Sequence, residues 1–194
     1  MGILVVTGTG TEIGKTHLGV SILERAGRTA AVLGYKPIES GCGLNAPTSD
    51  HALLAAASTF HVKHPPEYLF GAPISPHLAA RLEGRRIDLD LIVERVAHLA
   101  TQVEGLLVEL AGGLFSPLNE ASLNVQLLVK LQHSLPASKA VLVVPDRLGV
   151  LHDVGSTVRA AKGEGARLDA ILLAMPASPD ASTGTNAAEL ALLT

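Results

Sequence analysis

The chain has 194 residues, of which 47% are apolar, and a net charge of −3. That apolar share supports one packed domain of ordinary size and excludes a disordered chain. The charge offers no footing for general nucleic-acid or anionic-membrane binding. Aromatic residues make up 3% and Trp is absent, so the core has to be Ala, Leu, Val and Ile. With a single Cys no intrachain disulfide can form, which fits a reduced, cytoplasmic setting. No apolar run approaches the roughly 18 residues of a membrane span. The apolar stretch near the start, Ile3–Val6, lacks the charged region that precedes a signal sequence.

In chain order, the apolar pattern predicts a strand at Ile3–Thr7 and a helix over Gly14–Ala26, stopped by Gly27. A strand follows at Thr29–Tyr35, then helices at Ser49–Ser58, Ser75–Glu83 and Asp88–Thr101. The remaining strands are Gly105–Leu110, Lys139–Val144 and Leu168–Ala174, interleaved with helices at Leu123–Gln132, Val150–Gly163 and Asn186–Leu193. Each strand is apolar at nearly every position, as in parallel sheets covered on both faces. The alternation predicts a single α/β domain, residues 1–194, with a doubly wound, mainly parallel sheet. Ligands of such sheets bind beyond the carboxyl ends of the strands, here after Thr7, Tyr35, Leu110 and Val144.

The first of those ends carries Gly8-Thr9-Gly10-Thr11-Glu12-Ile13-Gly14-Lys15-Thr16. A strand, a Gly-rich turn and a helix form a phosphate loop, so the fold is expected to be P-loop NTPase-like. Its backbone N–H groups and the helix N-terminus face phosphates. Lys15 would reach the β- and γ-phosphates, and the Thr16 hydroxyl would bind Mg²⁺. Thr9 stands six residues before Lys15 where the strict pattern has Gly, so this is a longer variant of the loop. No Asn/Thr-Lys-x-Asp motif of GTPases is present, and Gly10 stands where partitioning ATPases carry a second Lys. Arg81, Arg85 and Arg86 read as a lid cluster or as a solvated helix end.

Several polar residues stand at the other strand ends. Lys36 precedes Pro37, either facing the site or snorkelling at the surface. Glu109 sits among Leu106, Leu107, Val108 and Leu110. A carboxylate there needs Mg²⁺ or a buried cation as partner. Asp50 follows Ser49 in a first helical turn, where the helix dipole alone would favour it. Thr11, Glu12 and Ser40 lie in loops, available to a ligand or to local backbone bonds. Gly149 and Val150 open a helix, as an anion site or a plain turn. Asp146 resembles a Walker B acid, Cys42 reads as an incidental thiol, and His61 with His64 is too small a set for a metal.

The loop Gly8–Thr16 taken with Gly34-Tyr35-Lys36-Pro37-Ile38-Glu39-Ser40-Gly41 resembles the dethiobiotin synthetase family. Thr48-Ser49-Asp50, Ile74-Ser75-Pro76-His77, Val108-Glu109-Leu110-Ala111-Gly112-Gly113 with Ser116-Pro117-Leu118, and Leu148-Gly149-Val150 extend the likeness. It runs from residue 1 to the region of Gly165. The resemblance implies closure of a ureido ring from 7,8-diaminononanoate, CO₂ and ATP, giving dethiobiotin, ADP and phosphate through a carbamate and a carbamic-phosphoric anhydride. It implies Lys15, Lys36 and Thr11 as catalytic groups. Glu12, Ile13, Gly14, Lys15, Thr16, Asp50, Glu109, Leu110, Ala111 and Gly112 would surround the nucleotide. Thr16, Asp50 and Glu109 would hold Mg²⁺. Ser40, Lys36, Gly149 and Val150 would contact the substrate. In the family the Gly149-Val150 loop comes from the partner subunit, which implies a homodimer.

The chain departs from the family pattern at named positions. Gly10 replaces an Asp, Glu39 adds a carboxylate where a neutral residue is usual, and Leu110 replaces a Gly, bringing a side chain toward the nucleotide. Leu173-Ala174-Met175-Pro176 stands in place of an adenine-reading Asn-Asp, and the sequence stops at Thr194, short of the family's usual last strand and the Gly-x-x-Pro base-contacting loop after it. The expectation is an enzyme that accepts several nucleoside triphosphates. A nucleotide-gated switch or partner-regulated ATPase is the alternative, and a relative that binds phosphate without turnover is a third.

Overall fold

A computed structural model describes residues 2–42, 48–61 and 66–193. The first strand, β1 (Gly2–Gly8), sends Ile3 and Val5 to one apolar cluster and Leu4 and Val6 to another on the opposite face. β5 (Gly105–Glu109) does the same, with Leu106 and Val108 against Leu107. This alternation is the period-two pattern of a strand covered on both faces. With β2 (Val32–Tyr35), β6 (Lys139–Pro145) and β7 (Ala170–Ala174) they form a parallel sheet of five strands. The order is β2-β5-β1-β6-β7, as predicted for a doubly wound fold.

Helices α1 (Lys15–Ala26) and α2 (Asp50–Ala56) cover one face, through Leu23 and Leu54. On the other face lie α3 (Pro76–Leu82), α4 (Leu89–Ala100) and α5 (Asn124–Ser134). α6 (Val150–Gly163) and α7 (Asn186–Leu193) pack on β6 and β7 through Val150, Val154 and Leu190. The sequence makes α4 legible: Leu89, Ile92, Val96 and Leu99 share one buried face. Asp88 caps its start, accepting from the Asp90 amide at 2.9 Å. Among the described residues no helix is long and apolar enough to cross a membrane.

Two differences from the predicted elements concern the site. The segment after β2 does not run on as a loop: β3 (Ile38–Ser40) pairs in parallel with β4 (Tyr68–Phe70) in a separate small sheet. Three residues are too few for a periodic signal. The strand predicted over Thr29–Tyr35 begins at Val32, because Thr29 and Ala30 still donate to the Ala26 carbonyl at the end of α1.

The chain leaves β1 toward β2 on one side and leaves β5 toward β6 on the other. The loops after β1 and β5 therefore part, and a crevice opens between them at the carboxyl ends of the strands. Gly34 in β2 lets both helices of the first face come close. A Cβ there would meet Leu23 Cδ1 at 2.5 Å and Leu54 Cβ at 3.0 Å. Gly34→Ala is expected to destabilise the fold by about 1–3 kcal/mol, as overpacking does. Urea unfolding with an unchanged slope measures it, and an unaltered midpoint would show that the helices yield freely.

Candidate active site

Strand register builds the centre of the site. Tyr35 pairs with Val108, so Lys36, the residue after β2, and Glu109, the last of β5, stand side by side. Val6 pairs with Glu109 from the other flank, which sets the β1 loop beside them. Glu109 has no exposed surface. Its Oε1 accepts from Lys36 Nζ at 2.7 Å and from the Thr16 hydroxyl at 3.0 Å. Lys36, itself 5% exposed, also forms a close ion pair with Asp50 at the start of α2. Lys36 faces inward rather than snorkelling at the surface, and in this structure the partner of Glu109 is that buried ammonium.

The electrostatics follow from these contacts. Burial alone would lower the Lys36 pKa, but Glu109 and Asp50 outweigh it and hold the ammonium above its ordinary value. Burial would likewise raise Asp50; Lys36, with the Thr16 hydroxyl, keeps that carboxyl below its usual range. Lys15 differs. Burial pushes it down to about 8 despite Glu109, and its Nζ donates to the Gly10 carbonyl at 2.6 Å.

A cavity of about 490 Å³ opens over this cluster. Thr11, Glu12, Lys36, Ser40, Asp50, Ala111 and Gly112 line it, all of them predicted site residues. Pro73, Ile74, Ser75, Pro76 and Ser116 line it too. All but Pro73 lie in segments that carried the family likeness but no assigned role. Ile13 packs against the apolar cluster under α1, and Gly14 caps that helix. Leu110 turns away: its side chain is buried in the main core, and its amide donates to the Val6 carbonyl at 2.9 Å. The Leu in place of Gly therefore does not project into the cavity. Gly149 and Val150 start α6 beyond β6 and are not among the cavity-lining residues.

One positioning residue escaped the sequence reading, and a second, Glu39, has a role the sequence did not show. Asn124, fully buried at the start of α5, donates to the carbonyls of Ala111 and Gly113 and fixes the loop after β5. Its signal was an amide heading a helix that buries Val125, Leu127, Leu128 and Leu131. Glu39, expected as an added charge beside the pocket, is 7% exposed and caps α2 from a distance. It accepts from the amides of Asp50 at 2.8 Å and His51 at 3.0 Å. Asp146 ties down the segment before α7, accepting from the Gly184 amide and Asn186 Nδ2. Burial and Glu39 push the Cys42 thiol up, so it is not an activated nucleophile. His61 lies in the described chain, whereas His64 lies outside the described residues.

A family model described as an AAA domain matches residues 3–192. The ATP-dependent dethiobiotin synthetase BioD of Rhodopirellula baltica is 36% identical over 95% of this chain and 77% of that protein. The chain belongs to the dethiobiotin synthetase family. The ATP-dependent dethiobiotin synthetase BioD of Bacillus subtilis is 32% identical over 93% of this chain and 78% of its own length. The kinase domain of the Escherichia coli tyrosine kinase ETK shares the fold, with a TM-score of 0.50 at 16% identity over 94% of this chain and 72% of that one.

The oxygen donors gathered at this site suit a divalent cation. Thr16, Asp50 and Glu109 offer only oxygen, which Mg²⁺ prefers. Glu109 Oε2 is buried with no hydrogen-bond partner among the described residues. Such an orphaned oxygen is costly unless a cation or water meets it.

Lys36→Met leaves the buried Glu109 carboxylate without its ammonium, and the loss is expected to be about 3–5 kcal/mol of stability. Adding Glu109→Gln should recover most of it. Denaturant unfolding of the single and double variants checks this; equal stabilities of wild type and Lys36→Met would mean that Glu109 is not held by Lys36.

Proposed function

We propose that this chain closes the ureido ring of dethiobiotin, joining 7,8-diaminononanoate and CO₂ at the expense of ATP. The observation that carries the proposal is the meeting of Lys36, Asp50, Glu109 and Thr16 beside a phosphate loop, under a cavity large enough for a substrate. The names of the relatives support the same reading.

In this account one substrate amine adds CO₂ to give a carbamate. A carbamate oxygen attacks the γ-phosphorus, the bond to the β-phosphate oxygen breaks, and ADP leaves. The second amine then attacks the carbonyl carbon of the mixed anhydride, loses its proton, and expels phosphate as the ring closes. Phosphoryl transfer of this kind chiefly needs positioning and charge neutralisation. Lys36 supplies a fixed positive charge where negative charge passes from carbamate to phosphate. Lys15 leaves the Gly10 carbonyl for the β- and γ-phosphates, whose charge offsets the burial that lowers its pKa to about 8 and holds it as an ammonium. The amides of Glu12 to Thr16 line the phosphates, and Thr11 and Ser40 orient the reacting groups from the cavity wall. Ala111 and Gly112, with the Leu110 backbone, close the nucleotide side. Mg²⁺, held by Thr16, Asp50 and Glu109, would neutralise the phosphate oxygens.

Gly149 and Val150 fit a further part of this reading. Their place outside the cavity suits a loop that reaches the site of a second copy, binding the substrate carboxylate at the α6 N-terminus in a homodimer. A single domain working in the cytoplasm completes the proposal.

The test is phosphate release from MgATP with and without diaminononanoate and bicarbonate. Release is expected only with both co-substrates and is expected to fall at least a hundredfold in Lys36→Ala, in line with loss of one preorganised charge-stabilising group. Release independent of the co-substrates would point to a nucleotide-gated switch instead. Initial rates with ATP, CTP, GTP and UTP are expected to differ by less than about tenfold, a spread of roughly 1.4 kcal/mol. Strict preference for ATP would show that the base is read by a segment other than the end of β7.

A further inference from the structure

β3, the turn after it and the first turn of α2 bring together three side chains that the ring-closing reading does not use as ligands. Glu39, Cys42 and His51 place a carboxylate oxygen, a sulfur and an imidazole nitrogen all within 4.8 Å of one another. Their positions are set by backbone, not by chance meeting of flexible chains. Glu39 is fixed in β3 and by its bonds to the α2 amides. Cys42 is curled back by Gly41, which has φ +80° and whose Cβ, if present, would meet Pro73 at 3.0 Å. The amides of Gly41 and Cys42 both donate to the Phe70 carbonyl of β4. His51 Nδ1 already lies 2.7 Å from Glu39 Oε2.

We propose that Glu39, Cys42 and His51 form a binding site for a thiophilic divalent transition metal of the Zn²⁺ class, separate from the Thr16–Asp50–Glu109 oxygen set. A sulfur, an imidazole nitrogen and one carboxylate oxygen select Zn²⁺ or Co²⁺ over Mg²⁺ and Ca²⁺. Three protein ligands leave a fourth tetrahedral position for water or for a group in the adjoining cavity, which Glu39 also lines. Tetrahedral bonds of about 2.0–2.3 Å set ligand atoms roughly 3.3–3.6 Å apart, so Cys42 Sγ draws in by about an ångström at most while His51 Nδ1 and Glu39 Oε2 part slightly from their 2.7 Å contact. Glu39 has two oxygens for two tasks. Oε1 keeps the Asp50 amide, while Oε2 keeps the His51 amide and exchanges only its contact with the His51 ring for the metal. The cation takes the place of the hydrogen between His51 and Glu39, and the Cys42 thiol gives up its proton to solvent. Because Glu39 Oε1 still holds the Asp50 amide, the metal sits one residue from the carboxylate that pairs with Lys36. Occupancy stiffens the start of α2 rather than blocking the phosphate loop.

The experiment uses the full chain without nucleotide, in excess Mg²⁺. Zn²⁺ binding is followed by equilibrium dialysis, and Co²⁺ binding by its thiolate-to-metal charge-transfer absorption. One Zn²⁺ per chain that Mg²⁺ does not displace is expected, together with a Co²⁺ charge-transfer band. Loss of an outer partner of a metal ligand costs 10–100-fold in affinity, so Cys42→Ser and His51→Gln, which remove ligands outright, are expected to cost at least about that much. The band should vanish in Cys42→Ser. Absence of the band in wild type, or Zn²⁺ bound equally tightly by Cys42→Ser and His51→Gln, would overturn the proposal. These readouts do not depend on ring closure, so the site stands or falls apart from the ligase reading.

Discussion

A carboxylate without exposed surface at the end of a central strand costs several kcal/mol to desolvate, and Glu109 is such a group. The Lys36 ammonium 2.7 Å away offsets that cost, and the Thr16 hydroxyl adds a hydrogen bond. Much of the architecture serves this pair. The parallel register of β2 on β5 sets Lys36 against Glu109, and β1 on the other flank delivers the phosphate loop. Both neighbours of Glu109 in the sheet are therefore strands whose next residues bind or face anions. Glu109 Oε2 remains without a partner, so the pair is satisfied on one side and open on the other. That asymmetry suits the proposed role of Glu109 as a cation ligand that is also stable without the cation.

Asp50 depends on a second, longer chain of contacts. The small β3–β4 sheet carries Glu39, Glu39 caps α2, and α2 presents Asp50 to Lys36. A helix of two turns gains little from its own hydrogen bonds. A carboxylate bonded to two of its first amides stabilises it at the end where the dipole favours negative charge. The departure at Glu39 thus has a structural role in this chain, beside any effect on substrate. The same three positions, Glu39, Cys42 and His51, form the compact nitrogen, oxygen and sulfur cluster beside the cavity.

Much of this was legible in the sequence because it rests on short, local rules. Apolar runs alternating with amphipathic segments gave the five main strands and seven helices within a few residues. Gly8–Thr16 announced the phosphate loop, and a Glu inside an apolar strand announced a buried partner. What stayed hidden depends on contacts distant along the chain. The β3–β4 pair joins three-residue segments nearly thirty positions apart, and neither has a period to read. The Glu39 cap crosses from a strand to a helix, so spacing rules such as a capping box do not find it. The inward turn of Leu110 follows from its amide bond to β1, which no residue-level pattern encodes.

The central claim is that Glu109, Asp50 and Thr16 are poised for a cation that Lys36 stands in for when none is bound. A crystal structure of the chain with Mg²⁺ and a non-hydrolysable ATP analogue tests it most directly. The account predicts a cation bonded to Glu109 and Thr16 oxygens beside the phosphates, with Lys36 Nζ turned from Asp50 toward the γ-phosphate. A cation bound elsewhere, with the Lys36–Glu109 and Lys36–Asp50 contacts unchanged, would contradict it.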